Sequence, residues 1–133
     1  MTVLTIPDTR QSMLVAIADF DASDFVTDVG TAVFALPQNA VVLGGEVTTH
    51  AVITGSSTVE MEIGDSASQA RYLASVDVKT AVISSPLLVT GYRVTNATRN
   101  ILIELDAGGT IVSGDGQLFL SYAVVGRSNE NFE

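Results

Sequence analysis

Apolar and polar side chains alternate along much of this chain with a period of two. The clearest case is residues 58–63, where Val59, Met61 and Ile63 fall on one face and Glu60 and Glu62 on the other. Successive side chains of a strand point to opposite faces, so this pattern predicts a half-buried β-strand and not a helix. The same period runs through 40–53, with Val47, Thr49, Ala51 and Ile53 opposite Glu46, Thr48 and His50. It returns at 100–106, where Ile101, Ile103 and Leu105 oppose Glu104 and Asp106. Further strands are predicted at 3–6, 13–18, 31–36, 76–83, 87–94, 110–112 and 117–125. These runs are rich in Val and Thr, whose Cβ branching suits a pleated sheet.

Turn residues punctuate these runs. Pro37-Gln38-Asn39, Gly55-Ser56-Ser57, Gly108-Gly109 and Gly114-Asp115-Gly116 each close one, and Asp-Gly is a favoured hairpin dipeptide. Gly44-Gly45 lies inside the 40–53 run, which predicts a bulge or a sharp bend there. Residues 19–30 form an acidic, irregular connection with room for one helical turn. Ser66 followed by Gln69 matches a capping box, which predicts one short helix over 66–74. Eight to ten short strands, with connections at 19–30 and 64–76 too long for hairpins, predict an all-β fold. The expected form is an antiparallel β-sandwich of the jelly-roll kind. Residues 1–133 are expected to make a single domain, with a short mobile tail from Gly126 onward, polar apart from Phe132.

The last strand differs from the others. Leu118, Leu120, Tyr122 and Val124 share one face, and Phe119, Ala123 and Val125 share the other. A strand that is apolar on both sides is either central in its sheet or touches a second chain.

Composition points the same way. The chain has 133 residues, of which 47% are hydrophobic and only 16% charged, with a mean hydropathy of +0.39. Charged residues usually make up about a quarter of a soluble domain, and a shortage of surface charge favours association. The formal charge is −9. A domain this acidic is repelled by phosphate backbones and by anionic membrane surfaces, so neither nucleic acid nor membrane is an expected partner. There is no cysteine, which excludes disulfides and thiolate chemistry. No basic stretch followed by a long apolar run marks the N-terminus for export, so a protein that stays where it is made is expected.

Candidate chemistry is sparse. His50 is the single histidine and sits mid-strand beside Glu46 and Thr48, where a solvated role is expected. Asp19, Asp21, Ser23, Asp24 and Asp28 could offer oxygen ligands to calcium. Counted from Asp19, however, positions six and twelve hold Asp24 and Gly30, where the calcium-loop pattern needs Gly and Glu. Glu60 with Glu62, and Glu104 with Asp106, could supply paired carboxylates, but such ladders are ordinarily the wet side of a sheet. A sugar groove would want aromatic platforms, and the chain has no Trp and three Tyr, at 72, 92 and 122. No glycine-rich loop leads into a helix with a Lys. The expectation is a protein without catalytic, cofactor or metal residues.

Two segments carry a resemblance. Phe34 to Val47 reads F-A-L-P-Q-N-A-V-V-L-G-G-E-V, and Glu62 to Ser75 reads E-I-G-D-S-A-S-Q-A-R-Y-L-A-S. Together they resemble small structural proteins of tailed bacteriophages, in particular capsid decoration or cement proteins of the jelly-roll type. Similar segments occur in head- and tail-fibre proteins. The likeness covers about the central third of the chain and rests on turn and core residues, so no catalytic residue transfers with it. It implies a virion component, made in the host cytoplasm, that binds the outside of the major capsid protein shell as a homo-oligomer, dimer or trimer. The alternative it leaves is a fibre module binding a host-surface glycan. From their apolar character, Val3, Leu4 and Ile6 near the N-terminus and Phe119, Ala123 and Val125 in the last strand are the expected interface residues.

Overall fold

The structure, a computed structural model, describes residues 12–95 and 98–126. Eight strands run in the order β1 (Leu14–Asp21), β2 (Thr31–Pro37), β3 (Ala40–Ala51), β4 (Val59–Gly64), β5 (Leu73–Asp77), β6 (Ser84–Pro86), β7 (Thr98–Ala107) and β8 (Asp115–Val124). They form two four-stranded sheets, β1-β8-β3-β6 and β2-β7-β4-β5. The partners β1·β8, β2·β7, β3·β6 and β4·β5 all lie side by side and antiparallel. That nesting is what a long four-pair ribbon gives when it rolls up, so the sandwich is a jelly roll. All successive strands except β4 and β5 change sheet, which is why so few connections are simple hairpins.

The core is the space between the sheets. Leu118 and Leu120 of β8 and Val47 of β3 enter it from the first sheet, and Met61, Ile63, Ile101, Ile103 and Leu105 enter it from the second. All eight are fully buried. The two-faced last strand is central in its sheet, between β1 and β3. Gly44-Gly45 marks a bulge, as expected: the β3–β8 register shifts between Val42 and Gly44. Gly45 has φ +155°, and a Cβ there would meet the Phe119 carbonyl at 2.3 Å.

Several expectations are corrected. No helix forms over 66–74, which is turn until β5 begins at Leu73. The free amides there are capped from Asp65 and not from Ser66. Asp65 Oδ1 accepts from the amides of Ala67 and Ser68, each at 2.9 Å. The Tyr72 amide returns to the Ile63 carbonyl, closing the turn before an i→i−4 ladder can start. Residues 87–94 are not a strand. They cross between the sheets, with Leu87 and Val94 buried, and meet β3 only at their two ends: the Leu87 amide donates to the Gly45 carbonyl, the Val94 amide donates to the Ala40 carbonyl, and Arg93 bridges to Val41. Residues 110–112 are loop, held by Val112 N–H to the Thr54 carbonyl. The single helical turn expected in 19–30 is present as a 3₁₀ turn, Ala22–Asp24. The expected strand at 3–6 and the tail beyond Gly126 lie outside the described residues.

Candidate functional site: the outer face of the first sheet

On β1 and β8 the pairs Ala16–Leu120 and Ala18–Leu118 point into the core, so the alternate pairs point out. The outward pairs are Val15–Ser121, Ile17–Phe119 and Asp19–Gln117. Val15 is 60% exposed, Ile17 63% and Phe119 38%, and Met13, just before β1, is 60% exposed. Leu43, at the β3 bulge, is also exposed. Clustered exposed apolar side chains of this size mark an interaction surface more often than a free one. Polar residues rim the patch on its β3 side, where Glu46 stands directly opposite Phe119, and at one end of the sheet. Glu46 accepts from the Ser84 and Thr48 hydroxyls, and His50 Nδ1 lies 3.8 Å from Asp115.

Of the residues expected at an interface, Phe119 and Ala123 lie on this outward face, Ala123 directly opposite Val41. Val125 follows β8, is exposed, and donates its amide to the Asn39 carbonyl. Val3, Leu4 and Ile6 lie outside the described residues. Sequence reasoning missed Met13, Val15 and Ile17.

The outer face of the second sheet has the opposite chemistry. Glu62 stands opposite Glu104, and Glu60 opposite Asp106 and Asp77. The carboxylate oxygens of Glu62, Glu104 and Asp106 lie within 4.8 Å of one another. This face is not simply wet: Glu104 is buried and accepts from Gln69 Nε2 at 2.9 Å. The proximity of Asp106, with partial burial, raises the Glu62 carboxyl above its usual range despite a hydrogen bond from Ser75. Burial, with the charges of Glu104 and Asp28, raises Asp106. The trio is the one group among the described residues whose oxygens could hold a hard divalent cation.

Beside it, the 65–72 turn is pinned by charge. Asp65 is fully buried, with Arg71 Nε at 2.7 Å and Arg99 Nη1 at 4.0 Å. Burial alone would raise its carboxyl, but the Arg71 guanidinium and the Ser68 and Ala67 amides outweigh that and lower it. Arg71 also stacks on the Tyr92 ring, 3.6 Å from its centroid. The adjoining cleft, lined by Gly30, Asp65, Ser66, Gln69, Leu102 and Glu104, holds about 150 Å³. That is small against the roughly 300–1,000 Å³ of small-molecule sites. The acidic connection is used locally. Asp21 caps the 3₁₀ turn: its Oδ1 accepts from the Ser23 amide while its own amide donates to Asp24 Oδ2, and Asp28 accepts from the Ala107 amide.

No protein-family model and no curated protein matches the sequence. Solved structures do share its fold. A chain in the capsid asymmetric unit of cyanophage Pam1 superposes with a TM-score of 0.69 at 20% identity, covering 92% of this chain and 94% of that one. A chain in the capsid of Ralstonia phage GP4 gives 0.68 at 17% identity, covering 96% and 93%. A chain in the capsid of Helicobacter pylori bacteriophage KHP30 gives 0.61 at 17% identity, covering 86% and 88%. At these identities the likeness is one of fold. The jelly roll of this chain is one that chains of three phage capsid structures also adopt, almost end to end.

Proposed function

We propose that this protein is a virion structural component of a phage, a decoration or cement protein that binds the outer surface of the major capsid shell as a homo-oligomer and stabilises it. The observation that carries this reading is the shared fold over nearly the whole of both chains in three phage capsid structures. The outward apolar patch around Ile17 and Phe119 supports it, since a part that works by packing needs a face that excludes water. A net charge of −9 suits a surface that meets solvent more than packaged nucleic acid.

The fibre-module alternative would need several exposed aromatic platforms for a sugar, and the tyrosines add none to the partly exposed ring of Phe119. Tyr72 is buried, Tyr92 is covered by Arg71, and Tyr122 packs against the core. Co-sedimentation with emptied capsid shells of its phage tests the proposal. Saturable pelleting with the shells is expected. Protein that stays in the supernatant at every shell concentration would overturn it.

A further inference from the structure

We propose that β1 is a self-association edge. A second copy of this chain adds to it antiparallel, across a two-fold axis through Val15, so that the first sheets of two copies become one continuous sheet.

The four strands that end the two sheets are β1, β6, β2 and β5, and three of them are guarded. The β6 strand has only three residues and ends in Pro86. The β2 strand has a register shift between Ala32 and Phe34 and ends in Pro37. The β5 strand has five residues, a register shift against β4, and Asp77 at its end. Proline, bulges, charge and shortness are the usual means by which a sheet edge is kept from pairing with another chain. The β1 strand has eight residues in unbroken register with β8. It has no Pro or Lys, its charges Asp19 and Asp21 are confined to its C-terminal half, and its first half, with Met13 just before it, presents exposed Met13, Val15 and Ile17. Among the described residues, no strand pairs with its outer edge.

The charge pattern of β1 selects the occupant and its direction. The first half is uncharged, and Asp19 and Asp21 lie at the far end. Parallel addition of a second copy would set Asp19 against Asp19, and like charges directly opposite are destabilising. Antiparallel addition centred on Val15 sets Met13 of each copy opposite Ile17 of the other and carries each Asp19 past the apolar tract. The strand is then its own complement. Two copies that each carry −9 repel at long range, so added salt strengthens this association by screening.

The inference deepens the homo-oligomer part of the proposed function without depending on the shell. A dimer that ignores shells keeps this inference and defeats the other. The test uses the full chain. Sedimentation equilibrium is expected to give a monomer–dimer equilibrium that shifts to dimer with salt. The chain has no cysteine, so Val15→Cys alone reports the register. Opposed Cα atoms in an antiparallel pair lie about 4.5–5.5 Å apart, within reach of a disulfide. Val15→Cys is expected to give a covalent dimer on oxidation, whereas Met13→Cys does so only when combined with Ile17→Cys. Val15→Lys is expected to abolish the dimer while melting like the wild type at dilutions where the wild type is monomeric, and Val82→Lys, at an exposed valine away from the edge, to leave it intact. A monomer at every concentration, a trimer, or a dimer that survives Val15→Lys would overturn the inference. So would a full-length monomer whose truncation to residues 12–133 dimerises, because residues 1–11 of the same chain would then hold the edge.

Discussion

Ile17 lies directly across the β1–β8 ladder from Phe119, and both side chains face away from the core. Neither residue is needed between the sheets, so replacing both with Ser leaves the core intact and is expected to cost about 0.2–1 kcal/mol for the lost cross-strand pair, with a further small loss because Phe119 is only 38% exposed. Association is expected to fall sharply. Thermal melts and solution mass of the double variant check both halves. A large loss of melting temperature, or an unchanged mass, would contradict the assignment of this face to contacts between chains.

The β4–β5 turn depends on a glycine for reasons of space. A Cβ on Gly64 would sit 2.1 Å from the Ser68 carbonyl oxygen and 2.4 Å from the Gln69 backbone. Gly64→Ala must push this segment away from β4 and disturb the Asp65 turn beside it. Overpacking of this kind costs about 1–3 kcal/mol. The denaturation midpoint in urea is expected to fall accordingly, and an unchanged midpoint would show the turn to be loose.

The carboxylates of the second sheet set a pH dependence with a definite sign. Glu62 and Asp106 are raised in the folded protein, so folding favours their protonated forms. Their contribution is present in full at low pH and is lost as pH rises through their folded values. Asp65 is lowered, so its contribution is present at neutral pH and is lost as pH falls through its folded value, below the ordinary 3.8. The melting temperature is therefore expected to rise from pH 7 toward pH 4.5, the ordinary Glu value, and to drop at more acidic pH. Glu62→Gln is expected to reduce the rise, leaving the part due to Asp106, and to leave the acid drop in place. A steady fall from pH 7 downward in both proteins would contradict this.

How much of this was legible in the sequence depended on what periodicity reports. Val59, Met61 and Ile63 against Glu60 and Glu62 defined β4, and the two apolar faces of residues 117–125 left β8 either central in its sheet or against a second chain; the ladder with β1 and β3 makes it central. Phe119 and Ala123 followed from that same signal. The β1 face stayed hidden because its size cue is inverted. Ala16 and Ala18 point to the core and larger Val15 and Ile17 point out, so both faces read as apolar. Residues 87–94 alternate, but the amides of Leu87, Leu88 and Val94 go to the carbonyls of Gly45, Tyr72 and Ala40 as the segment crosses between sheets. Periodicity gives faces, not partners. The Glu62–Glu104–Asp106 convergence needed cross-strand register, and the 66–74 turn needed the knowledge that Asp65 is buried against Arg71.

The most direct test of the proposed virion role is an image reconstruction of intact phage particles purified from the source of this chain. The expected result is density outside the major shell into which this jelly roll fits, with the Ile17–Phe119 face covered by protein. Virions that lack the chain, or hold it with that face bare to solvent, would contradict it.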